Sequence, residues 1–418
     1  MYWVVFVYLF FLSFYAFGEQ LLNQDVDISS GSTLSNDSGL TIRELSGGPY
    51  TIDNRGTIEA TNITSNTNPN IRLEVGTSVD NSGLIDTSGS ANLNSILFID
   101  NSGTNSLINS GTIQTETTGR YGHAILVQDA SLTEITNSSG GTIKVTDSAY
   151  VSGAIRIDTG GSVNTITNNA TISAVGTTHS RGILSISTAT IDRITNTGTI
   201  SASGGSESNH GIVFWNDSGT TVTNSGTIQG TEGNYSYGIR LGSNSSITKI
   251  TNTGTIKGGK DGISNSGNIT NIVNTGTITG TSGYSIHNGD GSITNLTNSQ
   301  NNLTFSGSVP TNYYVKVNSS SSYGKISFTS ASGSMNIGIA DDSTITEGTY
   351  EAVVSGLGAS NISTSSGTYI SNANHYKYSV SNSSGTQWDL VVYDLTEDVQ
   401  CSVDSGSGSC TKTSCITS

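Results

Sequence analysis

The sequence predicts an all-β protein: a right-handed parallel β-helix of about ten coils, finished by a carboxy-terminal β cap module. Three observations carry that expectation. One phrase, Asn-x-Gly-Thr-Ile or a near copy, returns from Asn54 to Asn274, and most neighbouring copies lie 28 residues apart, as from Asn196 to Asn224. Apolar residues, mostly Ile, stand at fixed offsets from that Asn, which random or disordered sequence would not maintain. The composition agrees: 33% hydrophobic and 11% charged residues with 51 Gly in 418 cannot fill a wide globular core. A thin stacked core needs only a few apolar side chains per coil.

Residues 1–18 form an apolar block too short for a membrane span, and Ala16-Phe17-Gly18 offers the small-x-small pattern of a cleavage site. They predict a secretory signal. Residues 19–50 are expected to form an amino-terminal cap, because a solenoid otherwise exposes an unpaired strand edge.

Residues 51–302 are the expected β-helix. Two positions before each repeat Asn sits one apolar column, Ile52, Val79, Leu107, Ile135, Ile166, Ile194, Val222, Ile250, Ile272 and Leu296. Four positions after it runs a second, from Ile58 through Ile113 and Ile200 to Ile278, with Ile143 displaced by a two-residue insertion. A third follows a small residue: Ile125, Ile155, Ile183, Ile212, Ile239, Ile263 and Ile286. Leu132, Val163, Ile191, Ile247, Ile269 and Ile293 supply a fourth point in several coils. β-Branched columns framed by Gly, Asn, Ser and Thr predict three short strands per coil joined by turns. The Asn belongs at a corner, where its amide can bond nearby backbone and ladder with the Asn of the next coil. The Gly after it is expected to supply a positive φ. A leucine-rich repeat is excluded, since no Ala-, Leu- or Glu-rich stretch exists for a convex helix.

From 303 to 398 the repeat vanishes and alternating segments follow, among them YYVKV from Tyr313, KISF from Lys325, MNIGIA from Met335 and WDLVVY from Trp388. They predict a separate β cap module. Residues 399–418 form a patternless tail holding all three cysteines, Cys401, Cys410 and Cys415. The repeats therefore contain no disulfide, and without neighbouring His the tail spacing is poor for zinc.

A net charge of −15 with no basic run excludes the electrostatic footprint of a nucleic-acid binder. Asp100, Asp129 and Asp158 recur at equal spacing and are followed in register by Ser187 and Asn216. A column that accepts Ser and Asn reads as a solvated turn rather than a calcium site. The five histidines, His123, His179, His210, His287 and His375, form no Ser-His-Asp pattern, and no cofactor or metal is expected. One edge stands out in a Ser/Thr/Asn surface: the segments before the third Ile column carry Arg120, Tyr121, His123, Tyr150, His179, Arg181, His210, Tyr235, Tyr237 and Tyr284. Such groups can stack on sugar rings or bind a protein, and equally can pack over their own coil.

The signal, the ITN-[ST]-GTI coils and a terminal module containing NYYVKVNSSSSYGKISF and SNSSGTQWDLVVY together resemble the passenger domain of a bacterial autotransporter over roughly residues 20–395. The resemblance implies a right-handed β-helix, export through the outer membrane and a role in adhesion, aggregation or another surface task. The translocator barrel of that family does not follow within 418 residues, so the expectation is a truncated gene product or export by another protein. The function expected is that of a secreted or surface-displayed adhesin or interaction scaffold without catalysis, whose partner is a surface glycan, a protein receptor or a second copy. A β-helix polysaccharide lyase or glycosidase, and an architectural surface-layer rod, are the alternatives. An enzyme would need clustered acid and base in one groove.

Overall fold

The computed structural model describes residues 15–17, 20–22, 24–36, 41–44, 48–65, 69–74, 76–99, 103–371 and 374–395. Nearly all of the expected signal and the whole cysteine tail lie outside them. Within them the chain forms a parallel β-solenoid of three faces. In the coil around Asn196, Thr190–Asn196 lies on the first face, Thr199–Ser203 on the second and Ser208–Phe214 on the third. The first face stacks 14 strands, from Val26–Ile28 to Ile362–Thr364, and the second stacks 11, from Tyr15–Phe17 to Thr277–Gly280. At the usual inter-strand spacing the first face is about 60 Å long.

The expected columns are the core. Ile166, Ile194, Val222 and Ile250 pair in register on the first face, Ile172, Ile200, Ile228 and Ile256 on the second, and Ile183, Ile212, Ile239 and Ile263 on the third. All are fully buried, and one continuous apolar cluster runs from Leu34 to Val392. Each such side chain contributes about 1.5–3 kcal/mol by burial.

The corner Asn residues make a buried ladder. Asn54, Asn81, Asn109, Asn137, Asn168, Asn196, Asn224, Asn252 and Asn274 each donate Nδ2 to the Oδ1 of the next, at 2.6–3.0 Å, and the series ends on Asn298. The amide orientation is set independently. Asn196 Nδ2 also reaches the carbonyl oxygens of Gly198 and Thr227, both at 3.1 Å, and a carbonyl can only accept. The two-residue insertion after Asn137 is absorbed in the corner by Gly140 at φ 86°, and Ile143 returns to register with Ile113 and Ile172.

The corner Gly is required for closeness rather than for positive φ. A Cβ on Gly226 would stand 2.0 Å from the Gly198 carbonyl oxygen of the preceding coil. Backbone crosses directly over backbone there, which excludes a side chain. Ala170 takes this position above the enlarged corner, and the Thr171 N–H reaches Gly141 O at 3.3 Å where Thr227 reaches Gly198 O at 2.8 Å.

The stack is longer at both ends than the repeat phrase suggested, giving about a dozen turns. Val26–Ile28 pairs in parallel with Tyr50–Asn54, so part of the expected amino-terminal cap is coil. Past residue 302, Asn312–Val315 and Met335–Ile339 continue the first face, and Leu303–Ser308 and Ile326–Ser332 continue the third, all in parallel. Tyr313, Phe305 and Phe328 take the Ile places. What stops at Gly280 is the second face. There Gln300 acts as the next strand in miniature: its Oε1 accepts from Ile278 N–H at 2.8 Å and its Nε2 donates to Ile278 O at 3.1 Å. A side-chain amide thus satisfies the sheet edge that would otherwise face outward unpaired. Antiparallel pairing joins the short strands Val317–Ser319 and Ser322–Tyr323, and it dominates in Gly348–Ser355, Ser366–Ser371, Asn374–Ser384 and Gln387–Asp394.

Removing one rung tests the ladder. Asn196→Ala strands buried acceptors and is expected to cost about 1–3 kcal/mol in urea unfolding. The neighbouring outward change Thr195→Ala should stay within about 0.5 kcal/mol.

Candidate functional site

Outward positions on the first two faces are mostly hydroxyl or amide. Thr136, Thr167, Thr195, Thr223 and Thr251 form one rank on the first face, and Thr142, Thr171, Thr199, Thr227, Thr255 and Thr277 form another on the second. The third face differs. Two outward columns flank its small-Ile core: His123, Gly153, Arg181, His210, Tyr237 and Asp261 in one, and Leu126, Arg156, Leu184, Val213, Arg240 and Ser264 in the other.

The ten residues expected on one edge do gather along this face, at two depths. Arg120 and Tyr150 are exposed and Tyr121 and His179 partly buried; the Arg120 guanidinium lies 5.3 and 4.8 Å from the Tyr121 and Tyr150 ring centres. Tyr150 meets Tyr121 and His179 edge-on at 6.0 and 5.0 Å. Tyr235 is exposed beneath the Lys260 ammonium, 5.1 Å from its ring centre, and Tyr284 stacks at 6.3 Å on His287, beyond the other rings. By contrast, His123, Arg181, His210 and Tyr237 are buried, so they form the bed of the strip rather than its exposed edge. Neighbours in the same and adjacent coils cover them: His210 stacks on Tyr237 at 5.0 Å, and Arg240 lies over Tyr237 at 5.2 Å and over Trp215 at 5.3 Å.

At the amino-terminal end of the strip a pocket of about 380 Å³ opens between Asn92, Leu93, Asn94, Tyr121, His123, Leu126, Arg156 and Asp158. Arg156 closes one side, with Nη1 3.2 Å from His123 Nε2 and Nη2 2.5 Å from Asp158. Burial and the Arg156 charge push the His123 imidazole down to about 3, so it is neutral at ordinary pH and poorly suited to take up a proton there. Thr159 donates its N–H and hydroxyl to Asp158, which stays below the usual carboxylate range through those bonds and Arg156, against a burial effect that opposes them. An aromatic ring, two leucines and converging amide, guanidinium and carboxylate groups suit a hydroxyl-rich ligand.

The equally spaced Asp column is a turn. Asp129, Ser187 and Asn216 have φ of 49°, 63° and 69°, the left-handed region that Asp and Asn enter most readily, while Asp100 lies outside the described residues. Among the described residues no three His, Cys, Asp or Glu side chains converge as metal ligands. Arg156, Trp215, Arg240 and Lys260 escaped sequence reasoning. Only Arg240 carried a signal, the unit x-Gly-Ile-x in Tyr237-Gly-Ile-Arg240, whose outer positions lie in the two outward columns.

Comparison of the chain with protein-family models, with curated proteins and with solved structures gave no match.

The depressed His123 makes the rod acid-sensitive. Above pH 6.5 both folded and unfolded chains hold a neutral imidazole; as pH falls from 6.5 toward about 3 the unfolded chain takes up a proton that the folded one refuses. Stability is then lost at up to about 1.4 kcal/mol per pH unit. His210, lowered by burial, Arg181 and Arg240, acts in the same sense. His123→Gln should lose less stability than the parent between pH 7 and pH 4.5 in urea titrations.

Proposed function

We propose that this protein is an exported, surface-displayed β-helical passenger that serves as an adhesin or interaction scaffold and performs no catalysis. The observation that carries the reading is the sidedness of the rod. Two faces present mostly Thr, Ser and Asn with scattered charges, while the third gathers rings beside cations, with Tyr150, Trp215 and Tyr235 exposed by 38%, 41% and 54%. Exposed aromatic rings beside guanidinium and ammonium groups suit stacking on sugar rings and recognition of a receptor surface. Cysteine-free repeats suit passage of an unfolded chain through a pore, and the terminal antiparallel strands serve in this reading as the end cap. The partner is a surface glycan or a protein receptor, and delivery requires outer-membrane export machinery.

Two measurements test it together. Protease added to intact producing cells should remove the protein, and those cells should be retained on receptor- or glycan-coated surfaces. The double variant Tyr150→Ala, Tyr235→Ala should weaken retention about fivefold or more, the usual scale for losing aromatic anchors. Protection from protease, or retention unchanged by the variant, would remove the proposal.

A further inference from the structure

The chain carries a net charge of −15, yet one stretch of the third face collects cations with almost no acid to match them. Arg181, 9% exposed, spends its donors on neutral acceptors: the carbonyls of Ser180 and Ser208 at 2.9 and 2.8 Å, and the Ser208 hydroxyl at 3.0 Å. Arg240 lies between the rings of Trp215 and Tyr237, and its buried Nε has no partner. His210, 1% exposed, lies in the same bed, stacked on Tyr237 at 5.0 Å. Among the described residues no carboxylate stands within ion-pair distance of Arg181 or Arg240, whereas Arg72 and Arg156 on the same face have theirs at 2.6 and 2.5 Å. Acids border the group at its edges: the exposed Glu207, 3.5 Å from His179, and the buried Asp261, paired in register with Tyr237.

These cations oppose one another. Burial and then Arg240 hold Arg181 down to about 9, and burial followed by Arg181 and Arg240 keeps His210 well below its ordinary value. Uncompensated charge in a shielded position is costly, and an arriving anion would offset that cost. The guanidinium fork of Arg240 is suited to carboxylate or sulfate, and the exposed indole of Trp215 offers an apolar plane beside it.

Building on the adhesive reading, we propose that this stretch binds an anionic carbohydrate, its carboxylate or sulfate at Arg240 with Arg181 behind, and its ring against Trp215. Ser264, which follows Arg240 in its column, and the acid that follows Tyr237, Asp261, bound the cationic stretch on the carboxy-terminal side.

Calorimetric titration of the full chain tests this with trigalacturonate, its fully methyl-esterified neutral form, a sulfated chondroitin disaccharide and sodium acetate. The acidic sugars should bind, the ester at least tenfold more weakly, and acetate not at all. Both acidic sugars carry a uronate carboxylate, so binding of trigalacturonate at least as tight as that of the chondroitin disaccharide would assign the carboxylate, and a preference for the disaccharide the sulfate it adds. R240Q should lower acidic-sugar affinity at least tenfold without moving ester affinity, and R193Q on the first face should change neither. Should R240Q fold poorly, salt decides on the parent chain: acidic-sugar affinity should fall at least tenfold from 50 to 500 mM NaCl. Equal binding of acid and ester, or loss-free binding by folded R240Q, overturns the anionic assignment and leaves the adhesive reading standing. Binding of none of the sugars overturns the assignment, while cell retention continues to judge the adhesive reading separately.

Discussion

The amide-to-amide bond between corner Asn residues of consecutive coils is the constraint from which the rest of this rod follows. Each Asn is fully buried, donates to the next Asn and also satisfies corner carbonyls, so a coil shifted by one residue would leave several polar groups unpaired at once. The same corner brings backbone over backbone so tightly that Gly226 has no room for a Cβ. Registry at one corner then dictates registry on all three faces. Ile falls upon Ile inside, and outward positions fall into straight columns whether or not their residues suit one another.

That last consequence produces the third face. On each of the first two faces one column repeats Thr, whose short side chain tolerates stacking at strand spacing. On the third, registry places His123 over Gly153, then Arg181, His210 and Tyr237 in a single line. Large and charged groups at that spacing must cover one another. The outcome is a buried bed of Arg, His and Tyr beneath exposed Tyr150, Trp215 and Tyr235. The chemistry of the surface is therefore a property of the stack rather than of any one coil.

Much of this was legible in the sequence because the Asn-x-Gly-Thr-Ile phrase reports its own corner and two of the three core columns. Ile143 could be assigned to its column despite the insertion, since the Asn before it stayed in place. The extra turns were hidden for a physical reason. The phrase describes the second face, and after Gly280 that face ends while the other two continue with Tyr313, Phe305 and Phe328 in place of Ile. The role of the corner Gly was misread because a close approach and a positive φ select the same residue. At the candidate site the sequence marked the right edge yet could not rank depth. Whether Tyr237 is covered and Tyr235 exposed depends on Arg240 and Lys260, which come from the same and the next coil. Buried Gln300, closing the second face through its side chain, resembles any polar loop residue when only the chain is read.

Hydrogen exchange of side-chain amides, followed residue by residue in solution, tests the ladder most directly. The Asn196 Nδ2 protons should exchange as slowly as the backbone N–H of Ile200, while those of exposed Asn234 should exchange at the rate of a free amide. Equal, solvent-limited exchange at Asn196 and Asn234 would contradict a buried ladder, and with it the registry that builds the third face.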